Sequence, residues 1–238
     1  MERLMNLRRS SFICRFLILF LIFSIFTVSV SATQKAQNVY HSSHTDEKVL
    51  ALTFDDGPHP RYTKEILKLL DEYGIRATFF MIGENISNYP ETAKMVFEAG
   101  HEIGNHTDTH PSVRSIGREE ISKEMQEAEN KISRITGRKT KLFRPPEGLC
   151  SHEICEEAEK LDYSVILWTV DTRDWAGTPS EVIKEGVMKR IRGGDILLFH
   201  DYVSKRSHTI EALRKIIPAL QAEGYEFLTV SEILALEK

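Results

Sequence analysis

The chain has 238 residues, of which 41% are hydrophobic and 28% are charged, with 31 Lys and Arg against 35 Asp and Glu. Without the four Arg and one Glu of residues 1–32, 27 basic and 34 acidic residues remain, a net charge of −7. This acidic balance, with no basic run and no aromatic residues interleaved with basic ones, argues against a nucleic-acid partner. The remaining length suits one domain with one core.

Residues 1–32 have the pattern of a secretory signal sequence. Four Arg accompany an apolar stretch over residues 16–30, and the small residues Ser31 and Ala32 follow it. We predict cleavage after Ala32. An uncleaved membrane anchor is the alternative and would be the chain's link to a membrane, although the stretch is short for a full span. Both interpretations predict a secreted or cell-surface protein, with a polar linker over residues 33–47 and a folded domain over residues 48–238.

Strand-like and helix-like patterns then alternate along the chain. The apolar, strand-like runs are residues 49–55, 77–82, 102–105, 141–144, 163–170, 195–200 and 226–230. The helical patterns, several of which stop at glycine, are residues 62–73, 90–99, 118–136, 151–161, 179–191 and 208–222. This alternation predicts an α/β fold with a largely parallel sheet. About seven such units favour a complete or distorted (β/α) barrel over an open sheet, and the pattern alone leaves that choice open.

Two of the three cysteines, Cys150 and Cys155, lie in the predicted domain. Their separation of five residues is too wide for a bridge along one helix, so we expect two free thiols. A disulfide is the alternative if Cys150 precedes the helix that Ser151 is predicted to cap.

Charged and imidazole side chains recur where the predicted strands end. They are Asp55, Asp56, His106, Arg144, Asp171, Asp174 and His200. In barrels and in open parallel sheets, the carboxyl ends of the strands and the loops after them form the active face. The sequence therefore predicts a functional site at this face.

His106 and His110 are four residues apart, a spacing that brings two imidazoles to one side of a helical turn, as two ligands of one metal require. This spacing alone is a weak signal. One of the paired carboxylates, Asp55 or Asp56, would add a third ligand and leave room for water, the arrangement of catalytic zinc sites. The other carboxylate would then act as a general base for that water.

The remaining polar residues complete a hydrolytic site. Arg144 would orient the base, and His200 would give a proton to a leaving group, its ring held by Asp171 or Asp174. Together these groups describe hydrolysis of an amide or an ester. Two His and one Asp favour zinc as the divalent metal, and cobalt, nickel or manganese also suit such a set of ligands.

Five short motifs carry a family resemblance. They are TFDDG (53–57), HTDTH (106–110), RPPEG (144–148), DTRDW (171–175) and LLFHD (197–201). In order and rough spacing they resemble the motifs of the polysaccharide deacetylases, carbohydrate esterase family 4, also called the NodB homology domain. The resemblance covers the chain from about Lys48 to its end. It implies a distorted, NodB-type (β/α) barrel that removes acetyl groups from N-acetylated sugar polymers with the help of a metal.

The resemblance also assigns roles to the paired acids and their neighbours. By this likeness Asp55 is the general base, and Asp56 binds the metal together with His106 and His110. Arg144 matches the residue that orients the base.

Further roles follow from the same resemblance. His200 matches the general acid and Asp174 its support, while Trp175 and Leu198 match positions that wall the acetyl pocket. The oxyanion would be held by the metal and by a backbone N–H in the third motif, that of Glu147. The family usually has an aromatic residue, most often Tyr, where this chain has Glu147. We hypothesise that Glu147 weakens activity on simple acetylated sugars.

Three functions fit this sequence. The leading one is N-deacetylation of peptidoglycan or chitin-like polymers, with no protein partner implied. An O-acetyl xylan esterase uses the same family chemistry. A glycan-binding protein that has lost catalysis is the third, and the presence of both acids, both histidines, Arg144 and His200 speaks against it.

Overall fold

The computed structural model describes residues 38–202 and 207–237. The predicted signal sequence and the first part of the predicted linker therefore lie outside the described residues. All described residues belong to one compact unit, Gln37–Lys238. Within them, no helix combines the length and the apolar character needed to cross a membrane.

A curved parallel sheet forms the centre of the fold. Its nine strands within the described residues are β1 (Val39–Tyr40), β2 (Val49–Asp55), β3 (Thr78–Met81), β4 (Glu102–Asn105), β5 (Leu142–Phe143), β6 (Ser164–Ile166), β7 (Val170–Asp171), β8 (Asp195–His200) and β9 (Glu226–Phe227). Their order is β1-β6-β5-β4-β3-β2-β8-β7, and β9 pairs with the beginning of β2. β1 lies within the stretch 33–47 that the sequence assigns to a linker, and it pairs with β6.

The connection between β6 and β7 explains the curvature. These strands lie six positions apart in the sheet, which in a flat sheet would separate them by about 29 Å. Only residues 167–169 join them, and such a segment spans at most about 14 Å. The sheet therefore curls into a distorted barrel, as predicted. The prediction of a single strand over residues 163–170 is wrong. The stretch forms two strands, β6, which ends at Ile166, and β7, which begins at Val170 and pairs with β8 at the other edge of the sheet.

Eight α-helices accompany the sheet within the described residues, and most of them cover its outer face, whereas the short last helix packs against the inner cluster. They are α1 (Tyr62–Glu72), α2 (Gly83–Asn88), α3 (Pro90–Glu98), α4 (Arg118–Thr136), α5 (His152–Lys160), α6 (Ser180–Arg190), α7 (Thr209–Ala222) and α8 (Val230–Leu234). α4 ends where Gly137 adopts a left-handed conformation, φ 71°, as glycine does without steric cost. The strand predicted over residues 226–230 is too long. Thr229 and Glu232 form a capping box that starts α8 at Val230.

Alternation along β2 places its apolar side chains in two of the three core clusters within the described residues. Leu50, Leu52 and Phe54 belong to the larger cluster, which includes apolar residues of the outer helices. Val49 and Ala51 belong to a second cluster with residues of β3, β6 and β8. Since alternate residues of a strand share a face, Thr53 and Asp55 continue this second row, and Asp55 is its last residue.

The expectation of two free thiols is wrong, because Cys150 and Cys155 form a disulfide. α5 begins at His152, and Ser151 Oγ caps it by accepting a hydrogen bond from Ile154 N at 3.4 Å. Cys150 therefore lies in the loop before the helix, and the two Cα atoms are 5.8 Å apart, within the range that a disulfide spans.

Candidate metal centre and active site

The strand register brings the predicted site residues to one end of the barrel. Asp55 and His200 end the adjacent strands β2 and β8 and are partners in their register. His106 follows β4 directly, and Arg144 follows β5. The charged residues that the sequence predicts at the carboxyl ends of the strands thus meet at one face.

Arg144 is the central buried cation of this face, with a side chain that is 0% exposed. Its Nη1 donates to Asp55 Oδ1 at 2.7 Å and to the hydroxyl of Thr53 at 2.8 Å. Its Nε and Nη2 donate to the backbone oxygens of Ile166 and Leu167. The guanidinium carbon also lies 4.0 Å from the centre of the Phe80 ring. The surrounding barrel therefore fixes Arg144, and Arg144 fixes one oxygen of Asp55.

The main chain orients the ring of His106. Its Nδ1 lies 2.7 Å from the carbonyl oxygen of Arg144. A carbonyl can only accept, so Nδ1 carries a proton, and the neutral ring then presents a lone pair at Nε2. That Nε2 lies 3.5 Å from Asp56 Oδ1 and 3.7 Å from Asp55 Oδ2. This tautomer is the one that a metal ligand requires.

Asp56 and His110 complete a group of three possible ligands. His110 Nε2 lies 3.5 Å from Asp56 Oδ1, and the ligand atoms of Asp56, His106 and His110 all lie within 4.8 Å of one another. Asp56 Oδ1 is buried and has no hydrogen-bond partner within the described residues. A buried carboxylate oxygen without a partner is costly, and a cation between these three side chains would supply one. The donor set thus fits a divalent metal of the zinc type.

His200 is held by Asp174 on the other side of the site. Its Nδ1 lies 2.8 Å from Asp174 Oδ1, and its backbone N donates to Asp174 Oδ2 at 2.9 Å. Thr209 Oγ1 donates to the same Oδ2 at 2.6 Å. Asp171 instead accepts from the backbone N of Arg173, so Asp174 is the residue that orients the ring.

This pairing gives His200 an unusual pKa. Burial alone would lower the pKa of the imidazole, but the hydrogen bond and charge of Asp174, with smaller contributions from Asp55 and Asp56, outweigh burial and raise it to about 9. His200 is therefore protonated at neutral pH.

Sequence reasoning missed Asp201, which lies beneath the turn that carries the paired acids. Its side chain is fully buried, its backbone N donates to Asp55 O at 3.1 Å, and its Oδ2 accepts from Thr63 Oγ1 at 2.5 Å. Burial raises the pKa of this carboxyl to about 7. A Cβ on Gly57 would overlap the carboxylate, so a glycine at 57 is the sequence signal that points to this contact.

The sequence profile described as polysaccharide deacetylase matches residues 42–166. The chain belongs to the polysaccharide deacetylase family. Two named relatives are similar over most of their length. A peptidoglycan-N-acetylglucosamine deacetylase of Bacillus cereus is 41% identical over 191 residues, 79% of this chain and 89% of the relative. A chitooligosaccharide deacetylase of Sinorhizobium fredii is 33% identical, over 77% of this chain and 90% of the relative.

Similar solved structures include one described as a deacetylase and one described as a pseudoenzyme. The Bc1960 peptidoglycan N-acetylglucosamine deacetylase matches with a TM-score of 0.81 and 31% identity, over 83% of this chain and 93% of its own. BA3943, described as a CE4 family pseudoenzyme from Bacillus anthracis, matches with a TM-score of 0.77 and 32% identity, over 82% of this chain and 68% of its own. Overall similarity to the family therefore does not separate activity from its loss, and the site residues must do so.

The three residues expected at the sugar differ in their exposure. Leu198 lies on β8 and is buried, whereas Trp175 is 55% exposed in the turn after Asp174. Glu147 adopts a left-handed conformation, φ 58°, and its Oε2 lies 3.0 Å from Nε of Arg114. The residue that departs from the deacetylase pattern is thus paired with a cation from the loop beyond His110.

Proposed function

We propose that this chain is a metal-dependent hydrolase that removes N-acetyl groups from N-acetylglucosamine polymers of the peptidoglycan or chitin type. The observation that carries the proposal is the unequal environment of two adjacent acids. Asp55 is paired with Arg144, whereas Asp56 directs an unpartnered oxygen toward His106 and His110. This difference supports different roles for the two acids, with Asp55 as the general base and Asp56 as a metal ligand.

Asp56, His106 and His110 would hold the metal, and zinc is the ion we propose, since two imidazoles and one carboxylate with further positions open are typical of catalytic zinc. When bound, the ion supplies Lewis-acid polarisation of the acetyl carbonyl and lowers the pKa of water.

The chain's own residues would carry the proton transfers. Asp55, held by Arg144, takes a proton from the attacking water as the water oxygen bonds to the acetyl carbon. The carbon–nitrogen bond then breaks while protonated His200 gives its proton to the departing amine. The products are acetate and a free amine on the sugar. The backbone N–H of Glu147 is the proposed donor to the developing oxyanion.

The substrate class follows from the named relatives, which act on peptidoglycan and on chitooligosaccharides. The exposed ring of Trp175 beside the Asp174–His200 pair suits contact with a sugar. Export through residues 1–32 and a secreted or wall-associated location complete the proposal, because these polymers lie outside the cell membrane.

Acetate release tests this function. The purified protein is offered peptidoglycan, chitooligosaccharides and acetylated xylan in parallel, first with a chelator and then with zinc restored. We expect release from an N-acetyl polymer, with a new free amine, that the chelator stops and zinc restores. Release from xylan alone would instead indicate an O-acetyl esterase. No release from any polymer by the zinc-loaded protein would overturn the proposal in favour of a binding protein.

A further inference from the structure

The short loop from His106 to His110 carries two of the three proposed metal ligands in a conformation that needs support. Thr107 has φ 67° and His110 has φ 55°, in the left-handed region that residues with a Cβ rarely adopt. Such a conformation persists only when its surroundings fix it. The contacts that fix this loop therefore bear on the spacing of the two imidazoles.

Glu124 of α4 makes one set of these contacts with both of its carboxylate oxygens. Oε2 accepts from the backbone N of Asp108 at 2.9 Å and from that of Thr109 at 2.7 Å. Oε1 accepts from Thr109 Oγ1 at 2.9 Å. Hydrogen bonds from N–H groups to an ionised acceptor are among the strong ones. All three donors lie between the two histidines.

Lys131 makes a second contact from the same helix with the opposite charge. Its Nζ donates to Asp108 Oδ1 at 2.6 Å, and the Asp108 side chain is only 9% exposed. Glu124 and Lys131 are seven residues apart, about two turns, and so lie on one face of α4. α4 therefore provides Glu124 as the acceptor for the N–H groups of the loop and Lys131 as the cation for the carboxylate of Asp108.

α2 holds the other side of the loop. The backbone N of Gly83 donates to Thr107 O at 3.0 Å, and that of Glu84 donates to Asp108 O at 2.8 Å. A Cβ on Gly83 would overlap Asp108 Oδ1 and lie 3.0 Å from the Cα of Ala128. The loop is therefore enclosed between two helices that approach closely, and contacts from both helices fix its conformation.

We propose that Glu124 and Lys131 are positioning residues of the metal centre, which fix the distance between the His106 and His110 imidazoles before metal binds. This inference rests on the proposed function only in taking a metal as the ligand of these histidines. Residues that orient ligands typically contribute a factor of about 10 to 100 in metal affinity. Removing Glu124 should therefore weaken metal binding without removing any ligand atom.

Zinc affinity, measured by competition with a chromophoric chelator, tests the proposal on the full chain. The variants are Glu124→Ala, Glu124→Gln and Lys131→Met. Glu127→Gln is the matched control, because Glu127 lies on the same helix in an exposed pair with Lys123. We expect a zinc Kd about 10-fold or more above the wild-type value for Glu124→Ala, a smaller increase for the other two variants, and no change for the control.

A second readout separates positioning from general damage to the fold. Saturating zinc should restore most of the acetate release of Glu124→Ala, because its ligands and catalytic groups remain, and the thermal midpoint of the metal-free protein should stay close to that of the control. If Glu124→Ala fails to fold, the zinc affinities of Glu124→Gln and Lys131→Met test the inference instead. Wild-type zinc affinity in all folded variants would overturn this inference but not the proposed metal centre. A wild-type protein that binds no zinc would overturn the metal centre and the inference with it.

Discussion

Arg144 Nη1 lies 2.7 Å from Asp55 Oδ1, and neither side chain is more than 5% exposed. The pair joins the ends of two strands inside the barrel, and three further N–H groups of the guanidinium donate to Thr53 and to two backbone oxygens. Asp55 is thereby a fixed carboxylate beside the proposed metal ligands.

Replacing Arg144 with Met should lower the free energy of unfolding by about 3 to 5 kcal/mol, because the Asp55 carboxylate would remain buried without its partner. Urea denaturation of the wild type and the variant measures this. Arg114→Met, which breaks the exposed pair with Glu147, is the control and should cost about 1 kcal/mol or less. Equal losses in the two variants would contradict a buried ion pair at Asp55.

The pH profile of deacetylation should reflect His200, because the proposed general acid must be protonated to act. Because its pKa is raised to about 9, activity should persist through neutral pH and fall as the pH rises through about 9. Asp174→Asn removes the first of the favourable contributions while burial remains, so the alkaline limb should move to lower pH. An unmoved limb in Asp174→Asn would exclude His200 as the group that titrates.

The same pair should contribute to stability with a definite sign. The pKa of His200 is raised in the folded state above its ordinary value of 6.5. The stabilisation is therefore fully present below about pH 6.5 and is lost as the pH rises through about 9. The free energy of unfolding, measured by urea denaturation across this pH range, should fall in the wild type as the pH rises. The fall should be smaller in Asp174→Asn.

Glu147→Tyr should raise acetate release from short chitooligosaccharides by about 2- to 10-fold, the value of one aromatic contact of about 0.5 to 1.5 kcal/mol. The substitution would supply the aromatic residue expected from the family resemblance and remove a charge at the proposed sugar site. Arg114→Ala, which removes the cation paired with Glu147 but leaves Glu147 in place, is the control. Unchanged rates for Glu147→Tyr on every glycan tested would show that Glu147 does not limit activity.

Removing the disulfide with Cys150→Ala and Cys155→Ala together should lower the free energy of unfolding by about 2 kcal/mol, since the bridge closes a short loop. A reducing agent should destabilise the wild type by the same amount and leave the double variant unchanged. Urea denaturation with and without reductant measures both effects. A wild type that is indifferent to reductant would mean that the thiols are free, as the sequence had suggested.

The local sequence pattern predicted the bounds of an element where a single feature marked its ends. The bounds of β2, β4, β8 and α4 match those predicted, because apolar runs and a terminal glycine mark them clearly. Residue types and positions after strands predicted His106, His110 and one of the paired acids as metal-site candidates, and the family resemblance selected Asp56, which lies with the two histidines.

Features that depend on distant parts of the chain were not predictable in this way. The break between β6 and β7 arises from closure of the sheet, and the Cys150–Cys155 bridge depends on the residue at which α5 begins. Asp201 contacts the turn at residues 55–57, and Glu124 contacts the loop before His110. Apart from Gly57, nothing in the local sequence indicates these contacts. The start of α8 was missed although Thr229 and Glu232 carry a recognisable capping signal.

The central claim is that Asp55 and Asp56 have different tasks, and one measurement on two variants tests it most directly. Zinc content and acetate release are determined together for Asp55→Asn and Asp56→Asn. We predict that Asp55→Asn keeps zinc and loses about 100-fold or more of its activity, whereas Asp56→Asn loses both zinc and activity. An Asp55→Asn protein that loses zinc or remains active, or an Asp56→Asn protein that retains full zinc, would contradict the account.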